Sequence, residues 1–314
     1  MGWLALTVTA CSSSPSNGET DGPQLPEAPD TASTCAEWLT ATAVGEVDDP
    51  SLNEISGIVT SRTQTGVLWI IEDSGADPVV TALDHTGNTL GSVVLNNTNN
   101  VDWEDLAIGR CNGIDSHTQT QGDCLWIADI GDNKKKRDRV HLFRIIEPNI
   151  NNLSEQTPHP VDATKFTFTY AEGPQNAESL VLTPEGEPVV LTKRKDRTAA
   201  VYRLGNPSMD TFPSPSLSGL ISTTELPGQS NKVYSATGAD LSPDGRWLIL
   251  RTYSSIQAYP LQEGDVESAD QSTAMSLPAA MEIQGESVAY DPVSRGIWQV
   301  SEGVRPTLYF LPCR

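Results

Sequence analysis

The chain is short of positive charge. Against 41 Asp and Glu it sets only 20 Lys and Arg, a formal net charge of −21 over 314 residues. A field of that sign repels phosphate backbones and anionic membrane surfaces, which excludes bulk nucleic-acid binding. No apolar run approaches the roughly 18 residues that a membrane-crossing helix needs. Histidine is scarce, at positions 85, 117, 141 and 159, with no HExxH or paired spacing to hold zinc. A Gly-x-Ser-x-Gly elbow, a phosphate-binding P-loop and a dinucleotide fingerprint are missing too.

What is present suffices for a packed core. Hydrophobic residues make up 37% of the chain and there are 24 glycines, so global disorder is excluded. The length suits one large all-β or α/β-barrel domain, or two ordinary domains.

An internal repeat decides between these. An acidic residue followed by a short apolar run recurs at Glu54, Glu104, Glu178, Asp240 and Glu286, at intervals of 50, 74, 62 and 46 residues. Each start is followed by a second apolar run, such as 67–75, 125–133 or 247–253, and then by a third, alternating run. Further runs at 89–95 and 163–171 supply a fourth. Short β-branched and aromatic runs bounded by Gly, Pro, Asn and Asp are strands. Four strands per interval predict an all-β propeller of four-stranded blades. Five blades are expected, and the Pro/Ser-rich stretch 205–235 leaves room for a sixth. A β-sandwich would not account for the acidic register. The last unit ends after three strands, so residues 37–47 are expected to supply its fourth and close the ring.

The cysteines fit that closure. Cys111 and Cys124 bracket a polar loop and are expected to bond locally, which leaves Cys35 to pair with Cys313 and clip the two ends together. The fifth, Cys11, follows Val8-Thr9-Ala10 in a pattern that resembles a bacterial lipobox, in which small residues precede a cysteine that is lipidated. Residues 1–11 are therefore expected to be a signal-peptide remnant with its lipobox, 12–34 a flexible tether, and 35–314 a single propeller domain. That arrangement implies a bacterial lipoprotein of the outer membrane, periplasm or cell surface. It would touch the membrane only through its lipid.

In a propeller the first strand of each blade lines the central channel. The loop entering it and the loop between strands two and three lie at the same end. Glu54, Glu104, Glu178, Asp240 and Glu286 are thus expected to ring one mouth, with Asp102 and Asp105 beside Glu104. Strand-two ends would add Asp73, Asp129, Asp132, Asn133, Lys193, Arg194, Arg251 and Glu302. Converging carboxylates repel unless protons or a cation intervene, and hard oxygen ligands suit Ca²⁺. The basic runs 134–139 and 193–197 occupy the same repeat position in neighbouring blades, where two such loops can hold an anion between them. Trp69, Trp126, Trp247 and Trp298 fall on second strands, which points to packing between blades.

Asp102-Trp103-Glu104-Asp105, the DIGDN segment 129–133 and the SPDGRW segment 242–247 resemble bacterial propeller lipoproteins of the TolB/WD40-like kind. One acid per blade is also similar to calcium-dependent apyrase-like and phytase-like propellers, and that likeness implies a central calcium. The favoured reading is a monomeric binding module whose acidic, Ca²⁺-holding mouth takes a small anionic ligand or an envelope protein. The alternative is a calcium-dependent hydrolase of phosphoesters or another anion. There Lys193, Arg194 and Arg251 would neutralise charge, and Glu178 or Asp129 would activate water. Glycoside hydrolysis by an acid pair is a variant of it.

Overall fold

The computed structural model describes residues 1–2, 35, 37–111, 122–205, 207, 210–223, 235–282 and 284–314. The lipobox with Cys11 and the tether, at 3–34, lie outside the described residues. The chain divides into units 1–33 and 34–314, and every described strand belongs to the second.

Among the described residues the strands form five antiparallel blades. Blade 1 holds β2 (Ile55–Thr60), β3 (Val67–Glu72), β4 (Val79–Asp84) and β5 (Thr89–Leu95). A short parallel strand, β9 (His159–Val161), is added on its outer edge. Blade 2 is built from β6 (Trp103–Arg110), β7 (Asp123–Asp129), β8 (Val140–Ile146) and β10 (Thr164–Phe168). In blade 3 come β11 (Ala177–Leu182), β12 (Pro188–Thr192), β13 (Thr198–Arg203) and β14 (Gly219–Ser222). Blade 4 has β15 (Ala236–Leu241), β16 (Trp247–Thr252), β17 (Ile256–Pro260) and the two-residue β18 (Met275–Ser276). Blade 5 takes β19 (Gly285–Tyr290), β20 (Ile297–Ser301) and β21 (Thr307–Leu311), and its fourth strand is β1 (Thr42–Glu46) from the other end of the chain. Within 205–235 the described residues give one strand, β14, which belongs to blade 3 rather than to a sixth blade.

Closure is reinforced covalently. Cys35 bonds to Cys313 and Cys111 to Cys124, as the spacing predicts. Leu39 N–H donates to the Pro312 carbonyl and Trp38 bridges Cys313, so the two ends are laced together beside the disulfide. The SPDG turn forms as expected, with Gly245 at φ 68° and its N–H on the Ser242 carbonyl.

The apolar core is split into five layers, one between each pair of neighbouring blades. Trp69 and Val59 pack on Leu106, Ile127 and Phe143 between blades 1 and 2. Trp126 and Phe166 meet Leu180 and Val190 between blades 2 and 3. Trp298 and Val300 meet Ile58, Leu68 and Ile70 where blade 5 closes on blade 1. Trp69, Trp126 and Trp298 are thus packing residues, and Trp247 is partly buried in the blade 4–5 layer. Both faces of each blade are covered by neighbours, so the inner strands β2, β11 and β19 are buried at every residue.

Candidate functional site at the channel mouth

The five innermost strands share a local irregularity. Each pairs with its second strand through a β-bulge at its second residue, so Ser56, Glu104, Glu178, Thr237 and Glu286 are the bulged residues. A bulge re-aims a side chain at the end of a ladder. Four of the five, Ser56, Glu104, Glu178 and Glu286, line one cavity of about 920 Å³. The loops after second strands complete its wall, with Asp73 from blade 1, Asn133 to Lys135 from blade 2 and Lys193 to Asp196 from blade 3. Tyr253 and Glu302 come from blades 4 and 5.

This register moves two members of the expected ring. Glu54 sits just before β2, exposed, and does not line the cavity; the bulge position of blade 1 belongs to Ser56. Asp240 lies near the far end of β15, three residues beyond the bulge residue Thr237. Its Oδ1 accepts from Leu241 N–H and its Oδ2 from Tyr290 N–H, which staples blade 4 to blade 5. Glu104, Glu178 and Glu286 are brought together as expected.

The residue after each bulge forms a second layer: Gly57, Asp105, Ser179, Gly238 and Ser287. A Cβ at Gly57 would come within 2.8 Å of Leu106 N, so small residues are required there. Asp105 is the one large member, and it is 1% exposed. Its carboxylate accepts N–H bonds from Leu106, Leu180 and Ala239, joining the inner strands of blades 2, 3 and 4. Hydroxyls add similar rivets: Ser56 Oγ donates to the Trp103 carbonyl and Thr237 Oγ1 to the Gly285 carbonyl.

Between blades 1 and 2, oxygens of Asp73, Asp102 and Glu104 lie within 4.8 Å of one another. Gly131 makes room for them, because a Cβ there would overlap Glu104 Oε1 and the Asp102 carboxyl. Burial pushes the Asp102 pKa up to about 6, with Asp73 adding to the rise and Arg137 opposing it. Glu104 is pushed well above the ordinary carboxylate range by burial, then by Glu178, Asp73 and Asp102. The site thus gathers more negative charge than its surroundings neutralise.

Lys193 crosses the floor beside this cluster, its Nζ 2.9 Å from Glu178 Oε2 and 4.9 Å from the centre of the Tyr253 ring. Burial works against its charge, yet Glu178, Glu286 and Tyr253 hold its pKa above the usual lysine value. Asn176 Nδ2 donates to Glu178 Oε1. Opposite, burial lifts Glu286 to about 8, countered by Lys193 and reinforced by Glu178 and Glu302, and Gln284 bridges Glu286 and Glu302.

Two catalytic candidates lie away from the cavity. Asp129, 1% exposed, receives Arg137 at 2.8 Å and the Asp102 N–H, and does not line the cavity. Arg251, 2% exposed, pairs with Glu282 behind Gly285. Both side chains end their strands pointing into packed protein, so neither faces a ligand in the mouth. Arg194 does line the cavity, but Asp196 holds its Nη2 at 2.6 Å. Glu178 and Lys193 stay at the floor, bonded to each other.

Sequence reading missed Gly131, Tyr253 and Gln284, and also Ser235, which lines the cavity. Gly131 lies inside the DIGDN segment, and the demand for a glycine there comes from blade 2 folding Asp102 and Glu104 against it.

No family model matches the chain, and no curated protein does. Among solved structures it is similar to the PQQ-bound aldose sugar dehydrogenase from Streptomyces coelicolor. The identity is 10% and the TM-score 0.49, over 88% of this chain and 98% of that one. At that level the likeness says nothing of cofactor or substrate, and the propeller assignment rests on the sheet topology.

Proposed function

We propose that this protein is an exported propeller that binds a divalent cation, Ca²⁺, in one channel mouth and presents it to a small anionic ligand. The observation that carries this reading is the close approach of Asp73, Asp102 and Glu104 oxygens beside a glycine whose missing Cβ leaves them space. Three carboxylates without imidazole or thiolate favour a hard cation, and Ca²⁺, which takes about 6–8 oxygens in flexible geometry, would be held by Asp73, Asp102 and Glu104 with ligand or water oxygens from the cavity completing its shell. Such a cation displaces protons from Asp102 and Glu104 and leaves positive charge where a ligand oxygen can reach it.

Export is supported by the two disulfides, which form and persist in oxidising compartments. No helix among the described residues is long and apolar enough to cross a membrane. A lipid on Cys11 is the proposed attachment, tested by palmitate labelling of wild type against Cys11→Ser.

Binding is preferred over hydrolysis because Asp129 and Arg251 are removed from the cavity and Glu178 is occupied by Lys193 and Asn176. Calorimetric titration with Ca²⁺ tests the reading. Saturable binding by wild type, weakened at least about tenfold in Glu104→Gln, is expected. No binding heat, with a melting temperature unmoved by EDTA, would contradict it.

A further inference from the structure

The chemistry of the cavity wall says what kind of ligand the mouth takes, an inference that rests on the cation reading above. Among its described lining residues none is aliphatic, and Tyr253 is the one aromatic, its ring covered by Lys193. Ligand sites ordinarily bury apolar surface against apolar side chains. This one offers no such surface and no free ring on which a base or sugar face can stack.

Charged groups line it instead, six carboxylates from Asp73, Glu104, Glu178, Asp196, Glu286 and Glu302 and five cations from Lys134, Lys135, Lys193, Arg194 and Lys195. Blades 2 and 3 contribute Lys134, Lys135 and Lys195 to the wall of the cavity that Asp73 and Glu104 also line. Lys134 and Lys195 have no ion-pair partner among the described residues, and Lys135 makes one long contact, 3.4 Å to Gln175. Blade 5 supplies Glu286 and Glu302, the latter near enough to Asp73 for the two charges to repel. Lys193 and Arg194 are paired with Glu178 and Asp196, which leaves Lys134, Lys135 and Lys195 as lining cations without a carboxylate partner among the described residues, a local positive wall in a chain of net charge −21.

We infer that the mouth binds a compact, hydrophilic polyanion carrying at least two oxyanion groups, one on the cation and another on the Lys134–Lys135–Lys195 wall. Carboxylates and phosphates share that chemistry. A single-charged anion uses only half of the site, and a neutral sugar or nucleoside uses neither half.

Calorimetry with saturating Ca²⁺ tests this with four probes: tricarballylate for the carboxylates, fructose bisphosphate for the phosphates, and glucose and adenosine as neutral molecules. At least one polyanion is expected to bind, and which one identifies the source of the oxyanion. The triple change Lys134→Ala, Lys135→Ala and Lys195→Ala is expected to weaken it at least about tenfold. Lys136→Ala, on the same loop but outside the cavity lining, is expected to leave it unchanged. Glucose or adenosine binding as tightly as the polyanions would overturn the inference, as would equal affinity in the triple variant. Silence of both polyanions while Ca²⁺ alone still binds overturns the inference and leaves the cation reading standing. Polyanion binding without any Ca²⁺ binding overturns the cation reading and with it the two-point grip, because no cation then holds the second oxyanion.

Discussion

Glu104 and Asp105 are consecutive on β6, both buried, and burial is the first cause lifting both above the ordinary carboxylate range. Their partners separate them. Asp105 is met by backbone N–H groups from three blades, so its negative charge, or its acceptor oxygens once protonated, are used to hold inner strands together. Glu104 faces other carboxylates, Asp73, Asp102 and Glu178, across an open cavity. A carboxylate met by peptide N–H groups is architecture, whereas one met mainly by other carboxylates is, on the proposed reading, a place for a cation. One residue of register, set by the bulge, divides the two.

The largest expected effect comes from breaking the architectural layer. Asp105→Ala leaves three buried N–H groups without an acceptor and should cost about 3–5 kcal/mol, read from denaturant unfolding. Asp105→Asn keeps an acceptor oxygen and should lose much less. Removing the closure disulfide by Cys35→Ser with Cys313→Ser should cost about 2–5 kcal/mol, because it ties residues 278 apart. Calcium affinity should survive that change, since the disulfide is remote from the mouth layer. Loss of affinity in step with stability would merge the two layers that the bulge register separates.

Smaller effects are expected in the mouth itself. Gly131→Ala puts a methyl group into the space of Glu104 and Asp102, and should weaken Ca²⁺ binding by about 10–100-fold in a calorimetric titration with the fold intact by circular dichroism. The pH dependence of stability is a gentler probe. Glu286 is lifted to about 8 and Asp102 and Asp240 to about 6, each by burial first. Between about pH 5 and 8 the folded state therefore holds protons that unfolded carboxyls have released, so cation-free stability should fall as pH rises through that window. On the proposed reading calcium takes the place of those protons at Asp102 and Glu104, so the rise in melting temperature it causes should be larger at about pH 8 than at about pH 5. A rise that shrinks with pH would place the cation away from these groups.

Much of the architecture was legible because it is periodic. The five blades, the closing strand β1, both disulfides and the placement of the basic loops follow from runs, turns and cysteine positions. The membership of the ring was not, for a definite reason. Aligning repeats on their acids chose Glu54 and Asp240, whereas the structural register is set by the bulge, occupied in blades 1 and 4 by Ser56 and Thr237. A usable signal was present: Ser56-Gly57, Thr237-Gly238, Glu178-Ser179 and Glu286-Ser287 all put a small residue directly after the bulge. Asp129 and Arg251 misled for a related reason. Both stand at strand-two ends, but partners across packed interiors, Arg137 and Glu282, draw their side chains away from the mouth.

Anomalous diffraction from crystals grown with Tb³⁺ as a Ca²⁺ surrogate tests the central claim most directly. A single strong peak bounded by Asp73, Asp102 and Glu104, beside Gly131, is predicted. A peak on the channel axis between Glu178 and Glu286, or none in the mouth at saturating ion, would contradict it.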